Sequence, residues 1–273
     1  MITQVKMQLE ILPPASTEPT PGTAKISQDF AYNIYGAWME LLDPAAADYL
    51  HNSHSVSQFL TINRLQRQVL KANTGVQTLT ASAEQTHTAV HTVNLLTPEA
   101  IEYMLPFLQK TEQYTLTKHN RILLVKDVQI MEIPRNELFD RWFTSPQYAN
   151  KFTLHFVSPA TFKSHNQYAI FPTPELILQS AAAKFNRLGL EVTVEDREAL
   201  AQLVENTMIT NYKLHSTRYY LKDTRIQSFL GSVTLSIRGP EPMIRLFGML
   251  MGALRYTGVG IKTALGMGGV EVT

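Results

Sequence analysis

The chain has 273 residues, with 24 Lys and Arg, 23 Asp and Glu, 44% hydrophobic residues and no cysteine. This length suits two compact domains, and the apolar content can fill packed cores, which excludes wholesale disorder. The lack of thiols excludes disulfides, thiolate-held metal centres and a cysteine nucleophile, and a formal charge of +1 gives by itself no sign of a polyanionic partner.

The first residues, MITQVKMQLEILPP, alternate instead of forming the unbroken apolar core of a signal peptide. No window reaches the roughly 18 apolar residues of a spanning helix, so the expectation is a cytoplasmic protein without membrane contact. Val5, Met7, Leu9 and Ile11 alternate with Lys6, Gln8 and Glu10, the pattern of a half-buried strand. Residues 13–22, rich in Pro, Ser and Thr, read as a loop. Phe30, Ile34, Ala37, Trp38, Leu41 and Leu42 recur at helical spacing. Asp43-Pro44 breaks that helix, and AAADYLH resumes it. Residues 57–63 and 76–95 read as extended. Thr97-Pro98-Glu99 starts a helix with Thr97 as cap, and Ile101, Met104, Leu105 and Leu108 form its stripe. Residues 121–131 read as a strand. The order strand, helix, two strands, helix, strand is the split-βαβ pattern.

The second half reads the same way. KFTLHFVSP is a strand, Thr173-Pro174-Glu175 starts a helix, and 194–205 form another. Residues 208–222 and 231–238 are strands, 240–255 a helix, and a glycine-rich loop leads to the last strand, GVEVT. The expected fold class is α+β, with two tandem ferredoxin-like (RRM-like, βαββαβ) domains at 1–145 and 146–273. The halves share architecture without an evident sequence repeat.

The near-zero net charge hides an asymmetry. Residues 1–145 carry 11 basic and 14 acidic side chains, and residues 146–273 carry 13 and 9. Between 206 and 262, Lys213, Arg218, Lys222, Arg225, Arg238, Arg245, Arg255 and Lys262 face only Asp223 and Glu241, with Tyr212, Tyr219, Tyr220 and Phe229 interleaved. Cations for phosphates and rings for bases are what RNA recognition uses. The plainer alternative is a strand pair with a solvated Lys/Arg face.

Residues 256–272, YTGVGIKTALGMGGVEV, contain Gly258, Gly260, Gly266, Gly268 and Gly269 around Lys262. The loop lies after a helix and before a strand, unlike a Rossmann turn, and lacks the Gly-Lys-Ser/Thr of a P-loop. Glycines allow close backbone approach to a ligand, with exposed amides facing phosphates. The alternative is a tight helix–strand connection. His87 and His91 form a His-x3-His pair without a third ligand at a convincing spacing, so no metal site and no cofactor are expected.

The pattern G-x-G-x5-G-x-G before a Val-rich strand resembles the signature loop of the RAMP superfamily of CRISPR-associated proteins. Three further stretches resemble one branch of it, the endoribonucleases that cut CRISPR precursor RNA within its repeats (the Cas-six family). They are FTLHFVSPATF, FPTPELILQSAAAKFN and the Leu-His segment in PAAADYLHNS. The resemblance implies two ferredoxin-like domains and metal-independent cleavage, in which the 2′-hydroxyl attacks the adjacent phosphate and the next 5′-oxygen leaves. It places a histidine after the first helix as general acid or base, matched here by His51. A tyrosine on that helix is matched by Tyr35 with a one-residue slip, Tyr32 being the alternative. Where some members carry a lysine shortly after the histidine, this chain has Ser57-Gln58. The alternatives for that cationic role are His54, Arg64, Arg67, Lys71 and Lys262. The implied partner is CRISPR repeat RNA, with an effector complex as a further destination, and monomer and homodimer both stay open. The expected RNA-binding residues are Gly258, Gly260, Lys262, Gly266, Gly268, Arg255, Arg218, Lys222 and Arg225. The competing function is a non-catalytic RAMP-type subunit that grips CRISPR RNA with the same loop and has no need of His51.

Overall fold

The computed structural model describes residues 1–12, 29–63, 87–117, 120–222 and 224–273. The expected loop at 13–22, the first part of the extended 76–95 segment, and Arg64, Arg67 and Lys71 lie outside these described residues.

The first sheet forms around β1 (Ile2–Ile11), whose Val5, Met7, Leu9 and Ile11 are all buried on one face. α1 (Phe30–Leu41) lays Phe30, Ile34 and Trp38 into that core. Asp43 then ends one helix and starts the next. Its carboxylate accepts from the amides of Ala45 and Ala46, both at 3.0 Å, while Pro44 occupies the first turn of α2 (Pro44–Asn52), where no amide is needed. β2 (Val56–Asn63), β3 (His87–Leu95), α3 (Pro98–Lys110), β4 (Gln113–Leu116) and β5 (Arg121–Ile133) complete the layer. The sheet runs β2-β3-β1-β5-β4, antiparallel throughout. β4 is an addition the sequence pattern did not suggest. Its four residues bury only Tyr114 and Leu116, too short a run to register as alternation.

A short helix, α4 (Arg135–Phe139), and a π-helical turn over Asp140–Thr144 lead to the second layer. It contains β6 (Lys151–Ala160), a small hairpin of β7 (Phe162–Ser164) and β8 (Gln167–Ala169), α5 (Pro174–Asn186), α6 (Arg197–Asn206), β9 (Thr207–Leu221), β10 (Thr224–Ile237), α7 (Glu241–Thr257) and β11 (Val270–Val272). The sheet order is β11-β6-β10-β9. The four strands β5-β1-β3-β2 of the first sheet follow the same order, so both layers are ferredoxin-like. β10 begins seven residues before the expected 231, because Leu221 and Thr224 close a tight turn and the pairing runs on from there.

Local chemistry recurs without topological equivalence. Thr97 Oγ1 accepts from the Ala100 amide at 3.2 Å, and Thr173 Oγ1 from the Leu176 amide at 3.2 Å. Yet α3 follows the strand pair β2–β3, whereas α5 precedes the pair β9–β10. The shared Thr-Pro-Glu therefore reports helix capping, not a repeat.

The two layers join through the open face of the first sheet. Ile2, Leu96 and Ile133 belong to the hydrophobic cluster of the second half. Gln4 Nε2 donates to Asn94 Oδ1, Asn94 Nδ2 to Ser57 Oγ, and Ser57 Oγ to the carbonyl of Tyr256 at the end of α7. Gly248 and Gly252 lie one turn apart on α7 because Trp142 lies across them. A Cβ on Gly252 would stand 2.3 Å from the indole nitrogen. Among the described residues, no helix is long and apolar enough to cross a membrane.

Candidate active site

A cleft of about 910 Å³ opens between the two halves, walled by α1, the end of α2, α5 and the glycine-rich loop. Its titratable lining is one-sided. His51, His54, Lys163, Lys184, Arg187, Lys222 and Lys262 contribute, and no Asp or Glu is among the described residues that line it. Such a cleft concentrates anions, since low-dielectric walls focus the field of the charges.

His51 reaches the cleft because α2 is anchored on its other side. Ala46 and Leu50, one turn apart, are buried, so the next residue is turned toward solvent and is exposed. Tyr35 comes from the preceding helix and is only 8% exposed, beside Trp38. Burial, and then the neighbouring Tyr32, push its phenol above the ordinary range, so it stays protonated at neutral pH. Tyr32 lines the same cleft. The fold thus brings together His51, both tyrosines and Lys262, and Lys222 at the β9–β10 turn joins them.

The glycine-rich loop is built differently from the sequence expectation. Its amides point mostly inward. Val259 donates to Gly268 O, Gly260 to Ser180 Oγ, Ile261 to Thr161 O, Gly268 to Pro159 O and Gly269 to Ser158 Oγ. Gly258, Gly260, Gly266 and Gly268 all have positive φ. A Cβ on Gly260 would lie 2.3 Å from Thr161 O, and one on Gly266 would lie 2.5 Å from both Ala31 Cβ and the Tyr219 hydroxyl. These glycines let a folded loop wedge between α1, β2 and β9. Its exposed charge is Lys262, at φ 57.

Side chains from both halves clamp this loop. Gln58 Nε2 donates to Ala264 O at 2.9 Å, and Tyr219 Oη to Leu265 O at 2.6 Å. Because the Gln58 amide nitrogen faces a carbonyl, its Oε1 accepts from His91 Nε2, 2.6 Å away. His91 is wholly buried and stacked on Trp38, and burial pushes its pKa down to about 3. It is a neutral core residue that orients Gln58. Ser57 and Gln58, at the place where the resemblance implies a lysine in some members, hold the loop instead.

Other sequence candidates lie elsewhere. Arg255 donates to the carbonyl of Val272, tying α7 to the last strand, and is not part of the cleft lining. Arg245 pairs with Glu241, donates to the carbonyls of Phe143 and Ser145, and stacks over Tyr148. Arg218 and Arg225 are exposed on the hairpin, the Arg225 guanidinium 5.8 Å from the Tyr220 ring centre. They flank the turn that carries Lys222 and stand outside the cleft lining.

Sequence reasoning missed three cations of the lining, Lys163, Lys184 and Arg187, of which Lys184 is held by hydrogen bonds on the loop side. Lys184 lies on the apolar stripe of α5 defined by Ile177 and Ala181. Its Nζ donates to Thr257 O at 3.3 Å and Thr263 Oγ1 at 2.7 Å. Burial, and then Arg187, push its pKa down to about 7. A lysine on the apolar stripe of an Ala-rich helix was the available signal.

A family model described as CRISPR-associated endoribonuclease Cas6 matches residues 154–270. A CRISPR-associated endoribonuclease Cas6 from Streptococcus thermophilus is 30% identical over 246 residues, covering 90% of this chain and 92% of that protein. The chain belongs to the Cas6 family. A Cas6 of Mycobacterium tuberculosis is 27% identical over 134 residues, 49% of this chain and 42% of that one. The structure of a Thermus thermophilus Cas6 superimposes with a TM-score of 0.65 at 17% identity, covering 100% of this chain and 98% of that one. A Cas6 product complex gives 0.70 at 18% identity, over the whole of both chains. At such identities the superpositions speak for the shared fold, two ferredoxin-like units in tandem. Cas6 membership makes the chain a member of an RNA-cleaving, CRISPR-associated family.

Proposed function

We propose that this Cas6 family member cleaves CRISPR precursor RNA within its repeats by in-line attack of a 2′-hydroxyl, leaving a 2′,3′-cyclic phosphate and a 5′-hydroxyl. The observation that carries this reading is the joint presence of His51 and Tyr35 in a basic cleft walled by the glycine-rich loop. The attack needs a group to take the 2′ proton, a group to protonate the leaving 5′-oxygen, and a donor or cation for the charge on phosphorus. An imidazole suits either proton role, and His51 is the exposed one at the end of α2. Tyr35, kept as a phenol, donates and cannot serve as a phenolate base. Lys262 and Lys222 supply cations for the phosphates along the cleft.

The test is cleavage of the repeat RNA from the neighbouring array in EDTA. Wild type should cut once per repeat and leave the cyclic phosphate, and an RNA with 2′-deoxy at the cut nucleotide should stay intact. Cutting of the deoxy substrate would exclude this mechanism. Binding without cutting would instead favour the non-catalytic RAMP-type subunit.

A further inference from the structure

We propose that His54, Lys184 and Arg187 form a second phosphate subsite of the cleft, assembled across the two halves, which takes an RNA backbone phosphate neighbouring the scissile one. The proposal rests on the RNA-cleaving reading of this cleft.

Lys184 and Arg187 stand three residues apart at the end of α5 and so share a helix face, and His54 approaches from the connector after α2. All three line the cleft. Their charges act on one another. Beyond burial, Arg187 and then Lys184 lower the pKa of His54, and Arg187 lowers that of Lys184. Among the described residues neither Lys184 nor Arg187 forms an ion pair with a carboxylate, and no Asp or Glu lines the cleft beside them. Like charges held together without a counter-ion are unfavourable in the free protein, and a bound anion reverses the sign of that interaction.

The site is also preorganised. Thr257 O and Thr263 Oγ1 hold the Lys184 nitrogen against the glycine-rich loop, so its placement does not wait for ligand. The other charged or titratable groups of the lining are His51, Lys163, Lys222, Lys262 and the α1 tyrosines, none of them acidic at neutral pH.

A protonic signature follows. With a pKa of about 7, Lys184 is mostly neutral amine at pH 8 in the free protein. A phosphate beside it restores the ammonium, so RNA binding at that pH takes up a proton. The experiment is calorimetric titration of the intact chain with repeat RNA made uncleavable by 2′-deoxy at the cut nucleotide, in two buffers of different ionisation enthalpy at pH 8. Wild type should show buffer-dependent heat corresponding to proton uptake. Lys184→Arg, which keeps a cation that does not titrate, should bind about as well and lose most of the uptake. Arg187→Ala, a change at an exposed side chain, should weaken binding about tenfold and flatten the salt dependence by about one phosphate contact, with an unchanged melting temperature. Unchanged affinity and salt slope for Arg187→Ala, or full uptake retained by Lys184→Arg, would overturn the subsite. If wild type binds and cuts the repeat while Arg187→Ala matches it, the subsite alone fails. If wild type binds no repeat RNA, the RNA reading fails and the subsite with it.

Discussion

His51 is exposed at the end of α2 because Leu50 beside it is anchored in the core. Replacing it by Ala should therefore leave the fold intact and cut the single-turnover cleavage rate by about 10²–10⁴, with RNA affinity retained. A wild-type rate in that variant would remove His51 from the mechanism. Tyr35→Phe should cost about 10² in rate if the phenol donates to the reacting phosphate. No loss of rate would mark Tyr35 as a packing residue. Gly260 illustrates a different constraint. At φ +77 with Thr161 O 2.3 Å from where a Cβ would stand, Gly260→Ala should lower stability by about 1–3 kcal/mol in chemical denaturation. His51 and Tyr35 came from the family resemblance and Lys262 from the glycine-rich loop around it, and all three line the cleft. Lys184 carries only a weak local signal, because its placement is set by two oxygens 73 and 79 residues away in the chain.

At the scale of elements, the glycine-rich loop is the part most changed by the structure. Read alone, its glycines suggest exposed amides. In place, most of those amides are satisfied internally, and the glycines serve the close packing of the loop against α1, β2 and β9. The relay His91–Gln58–Ala264 is one of its supports, and it has a pH dependence of defined sign. The His91 pKa falls from 6.5 to about 3 on folding, so the unfolded chain binds the extra proton between those values. This contribution to stability is full above pH 6.5 and is lost as pH falls toward 3. Melting temperatures should drop between pH 7 and 5 in the wild type and drop less in His91→Gln, which keeps a donor for Gln58 but does not titrate. Equal slopes would show that other groups dominate acid destabilisation. The β9–β10 hairpin is the complementary case. Arg218→Ala and Arg225→Ala, both outside the cleft lining, should weaken binding uniformly across RNA sequences and each lower the salt slope by about one, with little effect on the rate of bound substrate.

For the whole molecule, the two halves contribute unlike parts to one cleft. The acidic-leaning first half brings His51, His54 and Tyr35, and the basic second half brings Lys163, Lys184, Arg187, Lys222 and Lys262. The weak net charge is the sum of that division. Element type and order were legible in the sequence wherever periodicity ran long enough, as in β1, α1, α5 and α7. Short or irregular pieces such as β4, the β7–β8 hairpin and the π-helical turn were not, because three to five residues carry no readable period. By itself the sequence determined the two ferredoxin-like patterns, the helix break at Asp43-Pro44, the helix caps at Thr97 and Thr173, the charge asymmetry and the family resemblance. All of these depend on residues close together in the chain or on their order along it. Only the tertiary structure decided which cations share the cleft with His51, that Arg245 and Arg255 are held in internal contacts, and that Ser57 and Gln58 clamp the loop. Those outcomes depend on distances between residues up to about 200 apart in the chain, which the packing of one sheet face against the other half sets and which no local pattern encodes.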